Sequence, residues 1–454
     1  MKVCVVGAGW AGCAAALQAA QDGHHITLIE AGRAPGGRAR TVQATRADGS
    51  TARLDNGQHI LIGAYAACLR LMRLVGVDPA AALHREPLAL VYPDGDGIAL
   101  PDLAPPWDAL VGIARARGWP WRDKAALLAR AARWRASGFR CAPAATVAEV
   151  CAGLSARLVE GFIAPLCVSA LNTQPHEASG QVFLTVLRDS MFAGRGGSHL
   201  LLPRVPLGAL LPEPALAWLA QRGHAVRLGQ RARQLAHGPD GWQVDGEAYD
   251  AVLLACPGTE AARLAAEAAA PATLRTALGA WADTAARLRH AAIATVYAEL
   301  PGAQGPLLPR AMLALRATPA RPAQFVFDRG RLGGPAGILA FVVSAFTGER
   351  EVLPDQVVAQ AREQLGLAGL RPLQTVVERR ATFLCTPALT RPPPAIAPGL
   401  YACADYVAGP YPATLEGAVR AGIDAAGTAA HMMDRPAGGI TRGADRPMTS
   451  APRR

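Results

Sequence analysis

The apolar positions of this chain change period several times along its length. Val3-Cys4-Val5-Val6 is an unbroken β-branched run, the pattern of a strand buried on both faces. Ala14, Ala15, Ala16, Leu17, Ala19 and Ala20 follow as a helix-favouring stretch, closed by Gly23. Ile26-Thr27-Leu28-Ile29 reads as a second buried strand that ends on Glu30. From about 66 to 200 the character is helical, with several proline breaks. Short elements return over 203–250: a helix over Leu210 to Arg222, a strand over Ala225 to Leu228, and a hairpin turning at Gly238-Pro239-Asp240-Gly241. Asp250 to Cys256 reads as another buried strand, stopped by Pro257. A second excursion over 261–394 opens with alanine-rich helix and includes the strand-like run Ile338 to Val343. Gly399 to Asp405 returns to strand character, and a helix runs from about Leu415 through Ala430. Residues 435–454, rich in Pro, Gly and Arg, predict a disordered tail.

The junction between the first strand and first helix carries the most specific signal. Gly7, Gly9 and Gly12 stand in G-x-G-x-x-G spacing, with Trp10 and Ala11 inside the turn. The first glycine permits a tight turn, the second lets backbone approach a pyrophosphate, and the third packs helix on strand. The helix N-terminus then presents N–H groups and positive dipole to phosphate. Glu30, eighteen residues beyond Gly12, is placed to accept ribose hydroxyls. Gly36-Gly37-Arg38 follows, and Arg38 and Arg40 are candidates to reach pyrophosphate oxygens. With this turn the chain resembles the flavin-dependent amine oxidases and phytoene-type desaturases, whose cofactor is FAD.

The resemblance implies an α/β fold: a Rossmann-like FAD-binding domain of amine oxidase type, with a discontinuous α+β substrate domain. The FAD-binding part would comprise 1–65, 201–260 and 395–432, and the substrate-binding part 66–200 and 261–394. It also gives a role to a second cluster. In the family's C-terminal motif an acid binds the ribityl chain and the next helix points its N-terminus at the flavin. Asp405, Thr414 and Leu415 take those positions here. Ala404 departs from the family, which more often has glycine before the acid. The physics stands independently, since a helix N-terminus stabilises the negative charge of reduced flavin. Thr414 is the candidate N-cap, and Gly417 permits close backbone approach.

Asp55-Asn56-Gly57-Gln58-His59 is the most distinctive internal string, a polar cluster opening into the apolar run Ile60-Leu61-Ile62. In the wider family this region passes over the flavin. The string resembles the squalene-associated branch, the hydroxysqualene dehydroxylases of hopanoid and squalene biosynthesis. Ala381-Thr382-Phe383-Leu384-Cys385-Thr386-Pro387 and Tyr411-Pro412-Ala413-Thr414 support the same branch. Gly57 would then lie beside FAD, and His59 and Gln58 are the candidate catalytic residues. His59 is read either as a general acid titrating near neutrality or as a structural histidine. Gln58 either bonds a flavin edge or caps a turn.

The implied activity is reductive removal of the hydroxyl of hydroxysqualene, with hydride from reduced flavin and an apolar tunnel for the substrate. The electron donor is unassigned, because no second nucleotide motif is present. Upstream squalene-pathway enzymes are candidate partners. A carotenoid-type desaturase is the alternative, followed by an amine oxidase and a non-catalytic polyprenyl-lipid carrier. Low aromatic content (5%) weighs against the amine oxidase.

Composition narrows the setting. Nine scattered cysteines without a C-x-x-C argue against a disulfide framework and against a metal site, and point to a reducing cytoplasm. No signal peptide or membrane-spanning stretch is evident; the best candidate, Leu154 to Leu171, is interrupted by Arg157, Glu160 and Pro165. The formal charge of +11 comes without a nucleic-acid motif, so no nucleic-acid partner is expected. A membrane surface is the other candidate. Trp107 to Arg140 mixes four tryptophans with basic residues, and Leu127, Leu128, Ala131 and Trp134 share one helical face. The expected location is cytoplasmic, peripheral on the inner face of the cytoplasmic membrane.

Overall fold

The computed structural model describes residues 1–192 and 194–433; the expected tail at 435–454 lies outside the described residues. The first strand, β1 (Lys2–Val6), leads into the first helix, α1 (Trp10–Gln21), and then β2 (His25–Glu30). These strands sit at the centre of a six-stranded sheet. Its order is Ala225–Leu228, β2, β1, Ala251–Leu254, Leu400–Ala402 and Ala395–Ala397. Every neighbouring pair is parallel except the last. The strands therefore come from three separated stretches of sequence. Val3 to Val6 and Ala251 to Leu254 are buried, as continuous apolar strands covered on both faces must be.

Helix α1 is covered by the Leu415–Met433 helix. The two backbones approach so closely that a Cβ on Gly422 would stand 2.2 Å from the Ala11 carbonyl oxygen. Small residues on α1, from Ala11 to Ala16, make this approach possible. The span expected as one helix over 210–222 is instead two helices, Leu207–Leu210 and Pro212–Gln221. Pro212 opens the second one, where its missing N–H costs nothing.

A second sheet has five antiparallel strands in the order Met312–Ala314, Phe325–Asp328, Ile338–Phe346, His290–Glu299 and Arg371–Phe383. It is joined to the first through the hairpin Thr41–Thr45 and Thr51–Asp55. The Tyr297 hydroxyl donates to the Asp55 carbonyl at 2.8 Å, fixing the hairpin's end on the second sheet. A helical layer completes the molecule. It includes Trp107–Arg115, Trp121–Ala136, Ala164–Leu171 and Gly180–Met191. Among the described residues no helix is long and apolar enough to cross a membrane.

Candidate active site

The glycine turn is built as its spacing demands. Gly7 adopts φ +114°, a conformation costly to any residue with a Cβ, and its N–H donates to Ile29 O at 2.7 Å. A Cβ on Gly12 would stand 1.9 Å from the Gly7 carbonyl oxygen. Gly9 differs: a Cβ there meets no protein atom within 4 Å. The space over Gly9 is open at the start of α1, where no side chain caps the helix. That combination fits a group that takes hydrogen bonds from the first turn. Trp10 and Ala11 are buried in that turn, and the Trp10 indole N–H donates to Ala39 O at 3.3 Å.

The second glycine turn is tied to the first. Gly36 N–H donates to Ala8 O at 2.8 Å, and Gly37 lies against Gly9. Glu30 already accepts from Ala8 N–H at 2.8 Å and Gly32 N–H at 2.6 Å. These bonds fix the carboxylate and leave it lone pairs for hydroxyl donors. The Arg38 guanidinium pairs with Asp405 and donates to Ala381 O at 2.7 Å, contacts that the spacing did not indicate, and keeps further N–H donors. Burial works against the Arg38 charge, but Asp405 outweighs it and holds the guanidinium above its ordinary value. Arg40 is engaged with Gly37 O at 2.7 Å.

The Arg38–Asp405 pair joins positions 367 residues apart. Beyond Asp405, Ala413 is held at φ +57°, a strained geometry for alanine, and leads into Thr414. Thr414 Oγ1 accepts from Gly417 N–H at 2.9 Å and so caps the helix that begins at Leu415. Gly417 is required here, since a Cβ would stand 1.9 Å from Tyr411 O.

The polar loop runs beside this pair. Asn56 and Arg40 exchange two hydrogen bonds of 3.0 Å, locking the loop to the Gly-Gly-Arg turn. Gln58 N–H donates to Thr295 Oγ1 at 3.4 Å and its amide to His59 O at 3.3 Å. His59 Nδ1 lies 2.8 Å from Gly57 O. A carbonyl only accepts, so Nδ1 carries the hydrogen and Nε2 keeps its lone pair. Burial pushes His59 below its ordinary value; Gly57 O opposes this and the Arg38 charge adds to it. Burial thus places the titration of His59 below that of an ordinary imidazole.

The family model described as flavin containing amine oxidoreductase matches residues 10–430. The chain belongs to this family. It is 31% identical to a hydroxysqualene dehydroxylase of Rhodopseudomonas palustris, over 93% of this chain and 96% of that protein. It is 28% identical to a hydroxysqualene dehydroxylase of Sinorhizobium fredii, over 94% and 97% respectively. Among solved structures, an oxidoreductase from Methanosarcina mazei superposes with a TM-score of 0.71 at 17% identity, covering 96% of this chain and 100% of that one. The protein is an FAD-dependent oxidoreductase of the flavin amine oxidoreductase family.

Several residues that hold this family member's site carry no signal in the sequence, whereas Asp55 belongs to the polar string already singled out. Arg329 is only 2% exposed, yet its Nη1 donates to Gln58 Oε1 and to Pro203 O, both at 3.3 Å. Asp55 is fully buried and accepts from Leu207 N–H at 2.7 Å. Burial raises Asp55 to about 6, against the opposing charge of Arg329. Thr295, Tyr297 and Arg329 lie more than 200 residues from the loop they hold.

On the helical side, Asn172 ends the Ala164–Leu171 helix in a left-handed conformation. Its amide donates to Thr382 Oγ1 at 2.9 Å and its carbonyl accepts from Ala345 N–H at 2.6 Å. Thr382 adjoins Ala381, the partner of Arg38. Behind this helix is a cavity of about 60 Å³ lined wholly by apolar side chains, among them Ile113, Leu127, Trp134, Phe162 and Phe183. It is far smaller than the long tunnel expected from the sequence. The Leu127, Leu128, Ala131 and Trp134 face, expected to meet a membrane, is corrected too: it packs into this interior. Trp134 N–H donates to Val150 O at 3.2 Å, and Trp119 packs edge-on against Phe162.

Proposed function

We propose that this enzyme reductively removes the hydroxyl of hydroxysqualene to give squalene, working at a membrane surface on a lipid supplied by upstream enzymes of squalene synthesis. The full-length similarity to hydroxysqualene dehydroxylases carries the reading. In it, the segments 1–65, 201–260 and 395–432 hold FAD, and 66–200 with 261–394 hold the substrate. Gly7, Gly9, Trp10, Ala11 and Gly12 form the pyrophosphate turn with Gly36 and Gly37. Glu30 takes the ribose, Asp405 the ribityl chain under the grip of Arg38, and Gly57, Thr414 and Leu415 border the ring. Reduced FAD supplies the hydride that replaces the hydroxyl.

The chain's own residues then have two tasks. The apolar side chains around the cavity border isoprenoid carbon and exclude water that would re-add to an allylic cation. His59 and Gln58 hold the departing oxygen, with Gln58 fixed by Arg329. His59 gives a proton through Nε2, and its lowered affinity makes it a strong acid that is seldom loaded at neutral pH. Turnover should therefore rise as pH falls from about 7.5 toward the lowered His59 value. A flat profile over that range, with stable protein, removes His59 as the acid. The reaction itself is tested by supplying reduced FAD enzyme with hydroxysqualene and identifying products by mass spectrometry. Squalene supports the proposal; new conjugated double bonds absorbing visible light would mean a desaturase.

A further inference from the structure

Among the described residues six large apolar side chains are exposed, and four of them fall between 103 and 121: Leu103, Trp107, Leu110 and Trp121. Trp107 is 62% exposed and Trp121 73%. The Trp107–Arg115 helix inverts the usual pattern of a surface helix. Its inward side is set by Asp108, Gly112 and Ile113, all buried. Its outward side carries Trp107, Leu110, Val111 and Ala114, the i, i+3, i+4, i+7 spacing that normally faces a core. Lys124 Nζ donates to Ala114 O at 2.8 Å, which holds the first turn of the Trp121–Ala136 helix, and so Trp121, next to the end of this stripe.

Exposed charge within the segment is basic, while the acids that border it, Asp96 and Asp102, are paired with Arg316 and Arg195. Residues 103–140 contain eight Arg or Lys and only two acids, Asp108 and Asp123. Both acids are buried, whereas Arg115, Arg117, Arg122, Arg133, Arg135 and Arg140 are exposed. The Arg122 guanidinium lies 5.8 Å from the Trp121 ring centre. Indole rings beside arginines match the boundary between acyl chains and anionic headgroups. Directly behind, Ile113, Leu127 and Trp134 of the same two helices line the apolar cavity. A chain leaving a bilayer at this face has one helical layer to cross.

We propose that the outer face of the 107–121 region docks on an anionic lipid bilayer and that substrate enters through the apolar layer behind it. The route for substrate rests on the lipid-substrate reading; the docking does not. The FAD-loaded full-length protein is mixed with vesicles of phosphatidylcholine, with or without phosphatidylglycerol, and bound protein is measured by co-sedimentation. Two double variants accompany it, W107S/W121S and R115E/R122E, and turnover of detergent-dispersed hydroxysqualene is followed on each.

Docking predicts binding to phosphatidylglycerol vesicles at least about tenfold tighter than to phosphatidylcholine alone, and about a tenfold loss in either variant with turnover in detergent unchanged. Failure of the unaltered protein to bind overturns docking. Equal binding by the variants overturns it too. A change of oligomeric state in W107S/W121S without loss of vesicle binding assigns the face to contact between copies and also overturns docking. Vesicle binding with these losses but no turnover of hydroxysqualene supports docking and removes only the substrate reading.

Discussion

The glycine cradle and the 107–136 helical pair solve opposite problems with opposite residues. The cradle excludes side chains: Gly7, Gly12 and Gly417 have no room for a Cβ, which leaves backbone groups to face whatever sits over the turn. The helical pair spends large side chains on both of its faces, with Trp119 and Trp134 inside and Trp107 and Trp121 outside. Backbone geometry tolerates almost no variation, because a single added methyl collides with a carbonyl. A surface of exposed rings tolerates much, because each ring contributes separately to a partner. Substitutions in the two regions should therefore differ in kind as well as in size.

Gly12→Ala is expected to be the most damaging. Its Cβ meets Gly7 O, so the apoprotein should lose about 3 kcal/mol or more in urea unfolding. Gly9→Ala sharpens the point: apoprotein stability should stay within about 1 kcal/mol, while flavin retention after gel filtration falls at least about tenfold. Equal stability losses at both positions would break the distinction between packing glycine and ligand-facing glycine.

Asp55, at the end of the hairpin held by Tyr297, tests burial in place of sterics. Its carboxyl is raised to about 6, so the folded state holds a proton that the unfolded chain has released. Stability should fall as pH rises from about 4 to 6 and level off above, a loss of about 3 kcal/mol by the upper end. Asp55→Asn should flatten that slope in thermal or urea melts. An unchanged slope would mean that Asp55 is not its source.

Asp405→Asn removes the partner of Arg38, which is itself partly exposed. A loss of about 1–2 kcal/mol is expected, with weaker flavin retention and an absorbance shift of the bound flavin. Smallest of all, Trp107→Ser should change stability by no more than about 0.5 kcal/mol. A loss above 2 kcal/mol would show that this ring packs on the protein, against its exposure.

The same contrast explains what the sequence disclosed. The glycine turn is a local problem: Gly7, Gly9, Gly12 and Glu30 sit within one β-α-β unit, so their spacing encodes their geometry. The Thr414 cap was legible for the same reason. Arg329 was not, because a lone arginine becomes meaningful only when another sheet carries it to Gln58. Nor could spacing foresee that Arg38 would be claimed by Asp405. The tryptophans of 107–134 failed differently. Periodicity found an apolar face on the 121–136 helix, but that face turned inward. The exposed stripe lies on the 107–115 helix, and only the fold decides which of two apolar faces is covered.

The proposed reaction is a transfer of hydride from reduced flavin to a lipid. It is tested by mixing photoreduced enzyme anaerobically with hydroxysqualene, with no other electron donor, and following flavin absorbance and product together. Flavin reoxidation with one squalene formed per flavin is the expected result. Flavin that stays reduced, or reoxidises without squalene, would contradict it.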